Sequence, residues 1–350
     1  MPLEMEFVRF LGKGSYGSVD LFGYRENDGS MFYNAVKISD SKRRDALVRE
    51  SRILTELRGC PRIVQLLEKA LLEEINSDGN RVYKMHMEYA SGGTLTDFIR
   101  RNKSPLSDSI IREFTRMILQ GLVSVHSHGY VHCDLKPSNL LLFPRYDEQT
   151  MDCSYELKIS DFGLSTKAGG DSYCWEIDYP FVGTPVYMSS ESVDDGTVER
   201  SLDLWSLGCI VLEMYTGKYP WLGVSLDDLQ GILVEGLLGE DNAPKIPETV
   251  PLDARQFLEK CFARMPQDRG SASELLLHPF LIGDDPKTAV VPAGGERRLM
   301  GSRIRKLEDI PKNSSKLKTV SVRPSQFKRV LKKPVKVKKT FQVFPRTLVC

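Results

Sequence analysis

Between Tyr130 and Leu142 the chain reads Tyr-Val-His-Cys-Asp-Leu-Lys-Pro-Ser-Asn-Leu-Leu-Leu, which sets a carboxylate, an ammonium and an amide within six residues: Asp134, Lys136 and Asn139. An aspartate so placed can accept the proton of a hydroxyl nucleophile. The lysine can neutralise charge on a phosphoryl group in transfer, and the asparagine can hold a metal ion. The apolar run Leu140–Leu142 would anchor the loop against a core. The plain alternative is an ordinary polar loop, and one short motif does not decide between the two.

Four further stretches supply partners. Gly12-Lys13-Gly14-Ser15-Tyr16-Gly17 is followed by Ser18 and Val19 and lies between two strand-like segments, Phe7–Leu11 and Val19–Phe22. Glycines let a backbone lie close over phosphates and present N–H groups to them. In a dinucleotide-binding protein this motif would open a helix. Here β-branched and aromatic residues follow, so a hairpin is expected. Next, Lys37 sits in apolar company in the short strand Asn34–Ile38; a solvent-facing lysine is the plain alternative. A helix is predicted over Ser41–Arg58, with Leu47, Leu54 and Leu57 forming a stripe on which Glu50 also falls. A glutamate facing a core is costly without a cation, and Lys37 is the nearest upstream candidate. The alternative is a helix-edge glutamate with a solvated head. Finally, Leu157–Ser160 reads as a strand that delivers Asp161-Phe162-Gly163, 27 residues after Asp134.

Other elements must hold these groups in place. Ile63–Leu67 and Val82–Tyr89 read as strands, with Asn76–Asn80 as the turn before the second. Glu88–Gly93 then looks like a hinge, beyond which the pattern turns helical. Ile111, Phe114, Ile118, Leu122 and Val125 share one helical face, leading into the Asp134 loop. His126 and His128 near that helix's end read as structural, and His132 as a packing and hydrogen-bonding residue. Residues 143–158 read as an unusually long polar connection. The stretch Asp203–Gly208 belongs to a helix that is apolar on nearly all sides, which predicts burial.

Bulk properties set outer bounds. A chain of 350 residues suggests about two domains. With 41% hydrophobic and 27% charged residues the composition is that of a globular protein. The seven cysteines form no Cys-x-x-Cys pair, which argues against a zinc site or disulfide framework and for reduced thiols in the cytosol or nucleus. Met1–Phe10 carries three charged residues and no long apolar run, so no signal peptide is expected. The run Leu204–Leu212 is too short to span a membrane. Charge is divided unevenly: residues 285–350 carry net +14 and residues 1–284 net −13. Such a split predicts two parts with different tasks. The composition of the basic tail, interrupted by Pro311, Pro324, Pro334 and Pro345, predicts disorder in isolation.

Taken together, residues 5–283 resemble the eukaryotic protein kinases: the glycine-rich loop, Lys37, Glu50, His132-Cys133-Asp134, Asn139, Asp161-Phe162-Gly163 and Glu191 stand in order and at the expected spacing. Lys136 and Gly183-Thr184-Pro185 point to the serine/threonine branch. The wording of Gly183–Ser192, Asp203–Trp221 and Lys260–Phe280 is most similar to plant MAP kinase kinase kinases built as a small catalytic domain with a C-terminal tail.

The resemblance implies an α+β, two-lobed protein-kinase fold: a β-rich N-lobe over residues 5–89, a larger helical C-lobe over 90–283, and a basic tail over 284–350. It implies an enzyme that transfers the ATP γ-phosphoryl group to protein Ser/Thr hydroxyls, with MAP kinase kinases as the substrate class. Asp134, Lys136, Lys37 and Glu50 would be catalytic. Leu11, Gly12, Lys13, Gly14, Ser15, Tyr16, Gly17, Val19, Ala35, Lys37, Met87, Glu88, Ala90 and Leu141 would line the ATP site. Glu88 and Ala90 would offer backbone groups to adenine, and Asn139 and Asp161 would hold Mg2+. The family pattern also places Thr184 near Asp134 and pairs Glu191 with Arg269.

Two positions depart from that pattern. Cys133 stands where many kinases have an arginine that binds an activation-loop phosphate, and Ser190 stands where proline is usual. A pseudokinase scaffold is the first competing reading, and the presence of Lys37, Asp134, Asn139 and Asp161 speaks against it. A nucleic-acid binder working through the tail is the second, and no recognition fold supports it. Cytoplasmic or nuclear location is expected, with no membrane association.

Overall fold

The computed structural model describes residues 5–282, apart from positions 15–16, 26–29, 69–70, 103–104, 147–152, 170–182, 190, 195–197, 222–223, 225–228 and 230–242. The expectation of a disordered tail over 284–350 lies outside the described residues.

The glycine-rich stretch turns back on itself. Strand β1 (Met5–Gly14) pairs antiparallel with β2 (Gly17–Arg25), with Gly14 opposite Gly17. The chain therefore forms a hairpin here and opens no helix, as the β-branched and aromatic residues after it require. Gly17 has φ +148°, and a Cβ there would lie 2.0 Å from the Ile38 carbonyl oxygen, so no side chain fits. With β3 (Met31–Asp40), β4 (Leu72–Ile75) and β5 (Arg81–Glu88) these strands make one antiparallel sheet in the order β1-β2-β3-β5-β4.

A short 3-10 turn, Ser41–Arg43, leads into helix α1 (Arg44–Glu56). The Asp40 carboxylate caps the turn by accepting from the Arg43 N–H at 3.0 Å. Leu47, Glu50, Ile53 and Leu54 form the buried face of α1. The helix is a few residues shorter at each end than its apolar stripe predicted.

Two expectations need correction. Ile63–Leu67 is not a strand; it makes isolated bridges at Ile63 to Ile159 and at Leu66 to Met87. Ile63, Val64 and Leu66 are buried while Leu67 is exposed, and the bridges reach one strand of each lobe; apolar content alone does not separate such a linker from a strand. The strand before the turn is β4, Leu-Glu-Glu-Ile, a mostly exposed edge whose acidic centre gave no hydrophobic signal. Second, residues 143–158 are not one long connection. Strand β7 (Leu140–Tyr146) pairs with β8 (Cys153–Ile159) in unbroken register from Leu140–Ile159 to Tyr146–Cys153. Cross-strand pairing of Arg145 with Glu156, and a second ion pair from Glu156 to Arg62 of the preceding loop at 2.9 Å, let polar residues form sheet.

The second lobe is helical: α2 (Leu95–Asn102), α3 (Asp108–Ser127), α4 (Glu191–Asp194), α5 (Ser201–Thr216), α6 (Leu252–Cys261), α7 (Ala272–Leu275) and α8 (Pro279–Ile282). Small strands β6 (Tyr130–Val131) and β9 (Thr166–Lys167) pair beside the site. Helix α5 is buried around its circumference, including Leu204, Trp205, Ile210, Val211 and Met214. Each such side chain contributes about 1.5–3 kcal/mol on leaving water. The core runs without a break from Leu47, Leu54 and Met85 through Ile118, Leu122 and Ile159 to Leu204 and Phe257. Among the described residues no helix is long and apolar enough to cross a membrane.

Candidate active site

Strand alternation decides which way Lys37 points. Ala35 and Lys37 share one face of β3, and the register sets Val19 opposite Lys37 and Met87 opposite Ala35. Val36, facing the other way, packs with Phe22 and Tyr24 in a separate cluster. The Lys37 Nζ donates to Glu50 Oε2 at 2.6 Å and to Asp161 Oδ1 at 2.7 Å. Burial pulls the Lys37 pKa down, but the two carboxylates more than offset it and raise the pKa above the ordinary lysine value. Burial raises Glu50 above its usual range even against the pull of Lys37, with Asp161 adding to the rise. Burial also pushes Asp161 up, yet Lys37 outweighs it and leaves the pKa below the ordinary aspartate value. The difference follows the neighbouring charges: His132 and Lys136 add to the pull of Lys37 on Asp161, whereas for Glu50 the Asp161 carboxylate works against Lys37. A helical glutamate, a strand lysine and a loop aspartate 124 residues from that lysine thus meet at one ammonium.

The Asp134 loop forms the second group. Asp134 Oδ2 accepts from Lys136 Nζ at 2.7 Å, and Oδ1 accepts from Thr184 Oγ1 at 2.7 Å. Lys136 also donates to Thr184 Oγ1 at 2.7 Å. Asn139 spends its amide nitrogen on the Asp134 carbonyl at 2.9 Å, which leaves its amide oxygen as the available ligating atom. The Asn139 carbonyl accepts from Ser160 N and Oγ, both at 2.9 Å, so the residue before Asp161 is tied to the Asp134 loop. His132 completes the tie. Its Nδ1 accepts from the Asp134 N–H at 3.3 Å, so Nε2 carries the proton and donates to the Ser160 carbonyl at 3.1 Å. The ring packs edge-on against Phe162 with centroids 4.9 Å apart.

Two non-glycine residues here hold left-handed backbone: Cys133 with φ 66° and Asp161 with φ 64°. Such geometry persists only where surrounding contacts fix it. For Cys133 the contact is Asp203, at the start of α5. Its carboxylate accepts from His132 N at 2.9 Å, Cys133 N at 3.1 Å and His126 Nε2 at 2.9 Å. Burial raises the Asp203 pKa, but the His126 hydrogen bond and the neighbouring imidazoles more than reverse this. His126 and His132 therefore hydrogen-bond within the fold, and His128 Nδ1 bonds to the Ser124 carbonyl oxygen at 2.8 Å.

The remaining predicted positions fall along the sheet and hinge. Leu11, Gly12, Lys13 and Gly14 lie on β1, with Val19 opposite Gly12 on β2. Ser15 and Tyr16 lie outside the described residues. Met87, Ala35 and Ala90 are buried; Leu141 on β7 is half-buried and bridges to Thr94. The Ala90 carbonyl accepts from the Gly93 N–H at 3.1 Å, and the Ala90 N–H has no backbone acceptor among the described residues. Arg269, fully buried, forks onto Glu191, lies over the Trp205 ring at 4.8 Å and donates to the Ser201 carbonyl at 3.2 Å.

Three contributors have no motif of their own. Asp203 could have been singled out as the lone carboxylate at the head of an apolar helix. Lys158 and Gln65 gave no such signal: the Glu88 carboxylate accepts from Lys158 Nζ at 2.8 and 2.9 Å and from the Gln65 N–H at 2.8 Å. The hinge peptide is thus oriented by a side chain from β8.

Among the described residues no group of three or more His, Cys, Asp or Glu converges to hold a metal ion by itself. One partly exposed carboxylate and one free amide oxygen fit Mg2+, which keeps waters and takes ligands from bound phosphates.

A model described as "Protein kinase domain" matches residues 5–281. Mitogen-activated protein kinase kinase kinase 20 of Arabidopsis thaliana is 33% identical over 284 residues, 80% of this chain and 79% of the relative. Mitogen-activated protein kinase kinase kinase 18 of the same plant is 34% identical over 291 residues, 79% and 77% of the two chains. The serine/threonine-protein kinase BCK1/SLK1/SSP31 of Saccharomyces cerevisiae is 39% identical over 207 residues, but these cover 57% of this chain and 13% of the relative. The chain belongs to the protein kinase family and is homologous to plant mitogen-activated protein kinase kinase kinases.

Proposed function

We propose that this chain is a serine/threonine protein kinase whose substrates are MAP kinase kinases, with a catalytic domain over residues 5–283 and a separate basic tail. The observation that carries the reading is the double contact of Lys37 Nζ with Glu50 and Asp161, formed while Asp134 is held by Lys136 and Thr184. Lys37, oriented by Glu50, binds the α- and β-phosphates of ATP. Adenine lies against Val19, Ala35 and Leu141 and bonds to the backbone of Glu88 and Ala90, while the glycine-rich loop covers the phosphates. Asn139 and Asp161 would hold Mg2+, which would supply neutralisation of phosphate charge. Asp134 orients the substrate hydroxyl and accepts its proton as the oxygen attacks the γ-phosphorus. The bond from the γ-phosphorus to the bridging oxygen breaks, and ADP leaves. Lys136 offsets the charge on the transferring group.

The test is phosphoryl transfer by the purified full chain to a panel of inactive MAP kinase kinases. Asp134→Asn and Lys37→Met should each lower the rate by about a hundredfold or more while the chain stays folded, as read by circular dichroism. The double variant should be no slower than the worse single, because the residues serve one transition state. Chelating Mg2+ should abolish transfer reversibly. Substantial Mg-ATP-dependent activity in either single variant sinks the assignment. Transfer to other proteins but to no MAP kinase kinase sinks only the substrate class.

A further inference from the structure

Glu56, the last residue of α1, reaches across to the second lobe. The hydroxyl of Tyr130, a β6 residue only 5% exposed, donates to Glu56 Oε2 at 2.7 Å. Lys167 of β9 closes the group. Its Nζ lies 3.6 Å from the centre of the Tyr130 ring, 3.7 Å from Glu56 Oε2 and 2.9 Å from the His128 carbonyl. That carbonyl belongs to the residue that directly follows α3 and caps its C-terminus, where the helix dipole favours a cation. One ammonium thus meets an aromatic face, a carboxylate and a helix end. The pKa values respond accordingly: the Tyr130 hydroxyl holds the Glu56 carboxyl below its usual range. Burial, with Glu56 adding to it, pushes the Tyr130 phenol up to about 12.

These three residues sit where the elements of the site join. Helix α1 carries Glu50, six residues before Glu56. Strand β6 ends at Val131, directly before His132, and pairs Tyr130 with Lys167 and Val131 with Thr166. The β9 strand follows Asp161-Phe162-Gly163 by two residues. The backbone there is fixed further by Ala168 N to the Gly129 carbonyl at 2.9 Å and by Ser165 Oγ to the His132 carbonyl at 3.1 Å. A shift of the α1 C-terminus would tilt Glu50 away from Lys37, and a shift of β9 would carry Asp161 with it.

We infer that Glu56, Tyr130 and Lys167 are positioning residues that clasp α1 to the β6–β9 pair and thereby keep Lys37, Glu50 and Asp161 assembled. This rests on the kinase reading of the site. The clasp acts on the phosphate-binding lysine and not on the hinge. Its loss therefore lowers kcat and leaves ATP affinity, set largely by adenine contacts, little changed. Lys167 is half-exposed, which keeps the expected effect moderate.

The experiment uses the full chain with Mg-ATP and a protein substrate, comparing wild type with Glu56→Gln, Tyr130→Phe, Lys167→Met and Lys167→Arg. The first three should lose roughly threefold to tenfold in kcat with the KM for ATP within about twofold. Lys167→Arg should retain kcat near wild type, since it keeps the charge and stacks on the ring. The Glu56→Gln/Lys167→Met double variant should be no slower than the worse single. Melting temperatures monitor folding, and Glu56→Gln and Lys167→Met are surface changes that keep the fold. An active wild type whose Glu56→Gln and Lys167→Met variants stay within about twofold in kcat overturns the clasp alone, as do fully additive losses. A wild type inactive toward every protein substrate overturns the reading of the site, and the clasp with it.

Discussion

Asp203 decides the geometry of a loop 70 residues away from it. Its carboxylate is 1% exposed and accepts from two consecutive backbone N–H groups and one imidazole. Asn at this position keeps one acceptor and turns a donor toward the others, so Asp203→Asn should destabilise the fold by about 2–4 kcal/mol. It should also loosen the left-handed turn at Cys133 and reduce transfer. The pH dependence has a definite sign. The folded pKa of Asp203 is depressed, so its contribution is fully present above the unfolded carboxylate value and drains as pH falls through the folded one. Urea midpoints of wild type and variant should differ by a constant amount from neutral pH to about 5 and converge below about pH 4. A gap that widens on acidification would count against this role. Residue-level legibility was uneven for a physical reason. Asp134, Lys136 and Asn139 are close in sequence because one loop must present them together. Glu88, Lys158 and Gln65 meet only through tertiary pairing, and backbone contacts at a hinge constrain no side chain.

At the scale of elements, hydrophobic period located α1, α3 and α5, since each buries one face or all faces in a single core. It failed at β4, whose edge position leaves it acidic, and at β7–β8, where ion pairs replace apolar alternation. The segment from Asp161 to Glu191 raises the question of control. Cys133 replaces the arginine that would clamp a phosphate there, and its backbone is held by Asp203 instead. Ser165 is fully buried with its hydroxyl on the His132 carbonyl, so in this conformation it is closed to a phosphorylating enzyme. Ser172 and Tyr173 lie outside the described residues. We therefore predict basal activity without loop phosphorylation: phosphatase treatment should change kcat by less than about twofold. A drop of about tenfold or more, mapped by mass spectrometry to Thr166, Ser172 or Tyr173, would contradict this. Thr184 is no reporter here, because its hydroxyl bonds Asp134 and Lys136 directly.

For the whole molecule the relevant quantity is charge. The catalytic region carries net −13 and residues 285–350 net +14, so a nearly neutral chain contains two strongly opposed parts. The fold of the first was legible because its motifs span some 250 residues in fixed order. The second has no comparable frame, only composition. Within it, Lys328–Lys339 interleaves Lys and Arg with Val330, Leu331, Val335 and Val337. A solvated linker would need neither class of residue. An address read by charge, such as a nuclear-localisation signal, needs the basic residues alone. A docking peptide for a partner's acidic groove needs the aliphatic ones as well, because they must fill pockets. We predict a charge-read nuclear address. Changing Lys332, Lys333, Lys336, Lys338 and Lys339 to glutamine should abolish nuclear accumulation of a fluorescent fusion and leave transfer by the purified chain intact. Changing Val330, Leu331, Val335 and Val337 to alanine should leave accumulation as in wild type. If the glutamine variant still accumulates in the nucleus while the alanine variant alone loses capture of a MAP kinase kinase, the tail is a docking peptide and the charge-read address is wrong.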